Sequence, residues 1–115
     1  MFASNYKLDN LTAIVDRNNL QICGRTEDVM AIEPLVDKWM SFGWNVIETD
    51  GHDMNKILAA FEQTKTIKDA PTVIIFNTVK GKGVSFMENN AGFHGRACTA
   101  EEYPKAVEEL KEVIQ

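Results

Sequence analysis

Three short apolar runs set the folding possibilities of this chain: Leu11–Val15, Trp44–Thr49 and Thr72–Val79, each bounded by turn residues. Runs this brief and this rich in β-branched residues read as strands buried on both faces, the environment of a parallel sheet. Helical spacing fills the intervals. Leu35, Trp39 and Phe42 fall at i, i+4 and i+7 on one helix face. Glu33-Pro34 opens that helix with Pro34 in its first turn, and Gly43 ends it. Met54, Ile57, Leu58 and Phe61 form the apolar stripe of a second helix capped by Asp53. Pro71 suits the start of the third strand. Thr99 with Glu102 is a capping-box pattern heading a tail helix over about 99–115, with Tyr103, Val107, Leu110 and Ile114 along it. Pro104 argues for a helix start near Tyr103. The order strand, helix, strand, helix, strand, long loop, helix predicts a three-layer α/β fold: a parallel sheet with flanking helices and right-handed crossovers.

A chain of 115 residues affords one core. Area scaling gives a folded surface of roughly 6,300 Å² against about 18,700 Å² unfolded. One domain over 1–115 is expected, with a loop at 80–98, no repeat and no linker. Leu20–Cys23 reads as a short extended piece ended by Gly24, and Trp39, Trp44 and the methionines as core residues. The net charge of -5, with no basic stretch interleaved with aromatics, speaks against nucleic acid as a partner. The N-terminus lacks a basic segment followed by an apolar one, so no signal peptide is expected. Val73–Phe76, the densest apolar run, is too short to cross a bilayer. Cys23 and Cys98 form no CxxC pair, which points to reduced thiols and a cytoplasmic setting.

Ligands of open α/β sheets bind beyond the carboxyl ends of the strands. Asp16-Arg-Asn-Asn-Leu20, Asp50-Gly-His-Asp53 and Lys80-Gly-Lys-Gly83 all fall there, and His94-Gly95 lies further along the third loop. Asn18 offers an amide oxygen suited to Mg²⁺ or Ca²⁺, or serves as a turn former bonding its own backbone. Gly81 and Gly83 flank Lys82 in a segment that either cradles an anion or is a soluble loop; no Ser or Thr follows the Gly-Lys pair, so it is no P-loop. His52 reads as a local turn residue, and His94, between glycines in a loop, as a functional one. The cysteines have no basic partner nearby in sequence, and the acidic tail from Glu101 to Glu112 reads as a solvated helix face.

Six segments then appear in order: Tyr6-Lys-Leu-Asp-Asn-Leu, Ile14-Val-Asp-Arg-Asn-Asn-Leu-Gln-Ile22, Gly43-Trp, Asp50-Gly-His-Asp53, Pro71-Thr-Val-Ile-Ile75 and Thr78-Val-Lys-Gly-Lys-Gly-Val-Ser-Phe-Met-Glu88. Together they resemble the thiamine diphosphate-binding domain of transketolase, as in the N-terminal subunit of split bacterial forms. The resemblance implies thiamine diphosphate and Mg²⁺ as cofactors. It implies that Asn18 and the backbone carbonyl of Leu20 ligate the metal, and that Ile22 packs beside the cofactor. Phe93-His94-Gly95 matches a family segment whose histidine faces the diphosphate and substrate, so His94 inherits a cofactor-binding and catalytic role.

The family's Gly-Asp-Gly motif is absent from this sequence, and Met1-Phe-Ala-Ser-Asn-Tyr looks like a family helix just after it. One amide and one carbonyl give Mg²⁺ no anionic protein ligand. The expectation is therefore a partial thiamine diphosphate-binding fold, with weak or absent cofactor binding by this chain alone. In the intact enzyme it would serve two-carbon ketol transfer between sugar phosphates. The expected partner is a second copy or a complementary transketolase chain, since an incomplete sheet has edges that pair. Two alternatives stand beside the enzyme fragment: an interaction subunit completing a split enzyme, and a small α/β phosphate-binding module.

Overall fold

The computed structural model describes residues 1–113, with side chains through residue 111. In chain order the elements are α1 (Phe2–Asn5), β1 (Thr12–Arg17), β2 (Leu20–Gln21), β3 (Gly24–Arg25), α2 (Thr26–Val29), α3 (Leu35–Ser41), β4 (Asn45–Asp50), α4 (Met54–Thr64), β5 (Thr72–Asn77) and α5 (Tyr103–Val113), with a 3-10 turn at Ala91–Phe93. They belong to two compact units. One is Met1–Arg17 with Ile32–Thr78, and the other is Asn18–Ala31 with the segment from Val79 on.

The first unit is an α/β layer system. β1, β5 and β4 form a parallel sheet in that order, flanked by helices. The strand that comes last in sequence lies in the middle, and this explains its composition. Val73, Ile74 and Ile75 sit at 0–2% exposure because β5 has a neighbour on each side and cover on both faces. Ile47, Ala60, Ile74 and Phe76 make the core cluster, with Ile57 and Phe61 of α4 packed against it. Asp53 caps α4, its carboxylate accepting from the Asn55 and Lys56 amides at 2.9 and 3.2 Å.

The two-faced burial expected of all three strands is confined to β5. Ile14 shares a rung with the buried Ile74 and Ile47 but is 56% exposed, because β1 is an edge where the cover stops. The stripe of α4 divides likewise: Ile57 and Phe61 reach the core, while Met54 and Leu58 stay exposed. Met1, Met30 and Met40 are exposed too, so only Met87 of the five methionines is partly buried. A flexible thioether tolerates either environment, which is why its spacing misleads. Trp39 and Trp44 are half-buried and pack edge to face at 4.9 Å. Pro34 stands one position before α3, as its cap residue, and Gly43 follows the helix at φ +78°. β4 and β5 begin and end close to their expected bounds.

In the second unit β2 and β3 form an antiparallel hairpin across Ile22 and Cys23, where one extended piece was expected, and α2 follows directly. The 80–98 segment carries turns held by backbone bonds such as Asn89 N–H to Lys80 C=O at 3.0 Å, and Val84 is buried within it. The capping box forms as expected: the Glu102 amide donates to Thr99 Oγ1 at 3.2 Å and the Thr99 amide to Glu102 Oε2 at 2.9 Å. α5 turns Ala106 inward and leaves Tyr103 exposed. Ile114, expected on its stripe, lies outside the described residues. Cys23 and Cys98 are free thiols.

Candidate functional site

Arg17 ends β1 as a buried cation. Its Nε and Nη2 donate to Glu33 Oε1 at 3.0 and 2.7 Å, and Glu33 Oε2 accepts from the Leu35 amide at 2.8 Å. The Leu35 amide and then Arg17 hold the Glu33 carboxyl below the usual carboxylate range. The peptide bond between Glu33 and Pro34 is cis.

Beyond Arg17 the backbone is set by an Asx turn. Asn18 Oδ1 accepts from the Leu20 amide at 2.9 Å. Asn19 follows with φ +63°, a conformation asparagine tolerates, and its carbonyl accepts from the Thr26 amide at 3.0 Å. Turn and hairpin together fix the direction of the 18–22 backbone. The turn bond leaves Asn18 Oδ1 a second lone pair, because an amide oxygen carries two.

Asn18, Leu20 and Ile22 line a cavity of about 270 Å³, together with Gln21, Lys80, Ala91 and His94. All four residues singled out from the sequence reach this one cavity. Ile22 stands 63% exposed, an uncovered apolar surface at the hairpin tip. His94 follows the 3-10 turn that Asn90 starts, the Asn90 side chain accepting from the Gly92 amide at 2.9 Å. The His94 amide donates to the Ala91 carbonyl at 2.9 Å.

The other loops are sorted by their contacts. The two lysines of Lys80-Gly-Lys-Gly83 part company: Lys80 lines the cavity, and Lys82 pairs with Glu88 at 3.4 Å. Glu88 also accepts from the Gly83 amide at 3.1 Å. Gly81 has φ +74°, and a Cβ there would meet the Met87 carbonyl oxygen at 2.6 Å. His52 lies in the first unit, in the turn before α4, where its amide donates to Asp50 at 2.9 Å. That bond, above all, lowers the Asp50 carboxyl.

Sequence reasoning offered Lys80 only as part of the Lys80-Gly-Lys-Gly83 segment and did not assign Gln21 or Ala91 to the site. The two lysines of one loop look alike until Glu88 claims one. The lining residues carry two side-chain amides, Asn18 and Gln21, with backbone carbonyls, one lysine and one imidazole. That set suits one side of a magnesium–diphosphate group and contains no carboxylate. Among the described residues no three His, Cys, Asp or Glu side chains gather as a metal centre.

Comparison with known proteins gives the family. Residues 1–112 match the model of the transketolase, thiamine diphosphate binding domain. The chain is 47% identical over its full 115 residues to one subunit of the apulose-4-phosphate transketolase of Phocaeicola vulgatus, covering 41% of that protein. It is 44% identical over 111 residues, 96% of the chain, to a 6-deoxy-6-sulfo-D-fructose transketolase subunit of Clostridium, covering 40%. The crystal structure of Campylobacter jejuni transketolase superposes with a TM-score of 0.87 at 32% identity, over 96% of this chain and 17% of that one. The chain thus spans about two-fifths of the subunit relatives it matches. It belongs to the transketolase thiamine diphosphate-binding domain family.

Proposed function

We propose that this chain supplies one side of a thiamine diphosphate–magnesium site in a transketolase-type transferase moving a two-carbon ketol unit between sugar phosphates. The observation that carries the reading is the meeting of Asn18, Leu20, Ile22 and His94 in one cavity. Asn18 Oδ1 and the Leu20 carbonyl are the metal ligands in this reading, both hard neutral oxygens. Ile22 covers the flank of the cofactor. Lys80 adds positive charge toward the diphosphate, and His94 donates to it and holds or moves a proton on the substrate side. Bound thiamine diphosphate supplies the carbanion stabilisation that the reaction needs, and the protein orients it.

The cavity's lack of a carboxylate supports weak or absent cofactor binding by this chain alone. Relatives named as single subunits of a transketolase support a complementary transketolase chain as the partner that completes the site. The cytoplasmic setting belongs to the same proposal, resting on the two unpaired cysteines. Calorimetry with thiamine diphosphate and Mg²⁺ tests the reading. The isolated chain is expected to show no micromolar binding, and binding is expected once a complementary chain is added and to be lost in Asn18→Ala. Micromolar binding by the isolated chain, abolished by Asn18→Ala, would contradict the half-site. A simple phosphate-binding module is the second reading, favoured by Lys80 in the cavity. Stabilisation by inorganic phosphate that survives Asn18→Ala and disappears in Lys80→Met would support it.

A further inference from the structure

The acidic face of α5 does more than meet solvent. Glu102 stands at its start and Glu109 two turns on, on the side that carries the buried Ala106. Both carboxylates reach back to the 80–98 segment. Glu109 accepts from the Ser85 amide and, at 2.7 Å, from the Ser85 hydroxyl. Glu102 takes Arg96 in a planar fork, Nη1 to Oε2 at 2.7 Å and Nη2 to Oε1 at 3.0 Å. The same guanidinium lies 3.8 Å over the ring of Phe93, the residue before His94.

We propose that Glu102 and Glu109 are positioning residues: a two-point carboxylate clamp through which α5 holds the segment presenting Lys80 and His94. The role of that segment rests on the cavity reading proposed for Asn18, Leu20, Ile22 and His94. Two facts separate the clamp from ordinary helix capping. A capping box needs only the Thr99–Glu102 exchange, which leaves the Arg96 fork without a capping purpose. Glu109 lies far beyond the first turn, where no capping role exists. The anchors are also well placed. Arg96 lies two residues after His94 and Ser85 five after Lys80. A long loop without strands loses much entropy when ordered, and charge-assisted bonds at two points offset that cost.

Hydrogen exchange on the full chain tests the clamp. Glu102→Gln keeps the capping box, since glutamine serves there too, and weakens only the Arg96 fork. Exchange about tenfold faster is expected over 91–98 in Glu102→Gln and over 81–89 in Glu109→Gln, with β5 and α5 amides unchanged. Unchanged loop exchange, or β5 and α5 accelerating in parallel, overturns the proposal. A second readout follows His94 imidazole signals during titration with Mg²⁺ and inorganic pyrophosphate, with the complementary transketolase chain present. The variants are expected to need several-fold more pyrophosphate than wild type, and equal requirements overturn the positioning role. If pyrophosphate fails to move His94 in the wild type, the reading of the cavity fails, and the exchange measurement still decides the clamp.

Discussion

At the scale of single residues, the site depends on side chains that bond their own backbone. Asn18 does this for the 18–20 turn, so Asn18→Ala is expected to cost about 1 kcal/mol of stability in urea titration, the worth of one hydrogen bond. Gly81 is constrained by its left-handed φ and by the Met87 carbonyl. Gly81→Ala is expected to destabilise by about 1–3 kcal/mol, with loop amides exchanging faster. Glu33→Ala removes the acceptor of two bonds from buried Arg17 and is expected to lose about 2 kcal/mol on thermal unfolding. Glu102 titrates at about 2, lowered first by the Arg96 fork and then by the Thr99 amide. A depressed carboxylate stabilises the fold fully above its ordinary value of 4.5 and loses that contribution as pH falls toward 2. Acid titration followed at the Thr99 amide is expected to show its native signal holding well below pH 4.5 and moving only as pH approaches about 2.

At the scale of elements, local chemistry was readable and burial only in β5. The Asp53 cap and the Thr99–Glu102 box are contacts within a few residues, and each stands where its motif placed it. The β2–β3 hairpin was legible only as one extended piece over Leu20–Cys23, because two-residue strands show no period. Ile14 and Leu58 looked like core because periodicity reports which face a residue shares, while exposure depends on what covers that face. The same limit hid the clamp. Glu102 and Glu109 are ordinary acidic residues until the fold brings Arg96 and Ser85 to them. β5 is the element on which the sheet depends, and Ile74→Ala is expected to cost about 2–5 kcal/mol in chemical denaturation.

At the scale of the whole molecule, exposed apolar side chains are numerous: Met1, Phe2, Tyr6 and Ile14 among them. Surface of this kind seeks partners. Concentration-dependent association is expected in light scattering, and a monomer at high concentration would count against it. The family likeness was legible across the chain because its segments recur in order, whereas the cavity needed coordinates to separate Lys80 from Lys82. The central position of β5 also orders events in time. Thr12 pairs with Thr72 and Asn45 with the same residue, so β1 and β4 have no sheet neighbour until Thr72–Asn77 has been synthesised. A ribosome-bound chain stopped short of that strand holds β1 and β4 unpaired and no parallel sheet, and contacts this distant in sequence make folding slow.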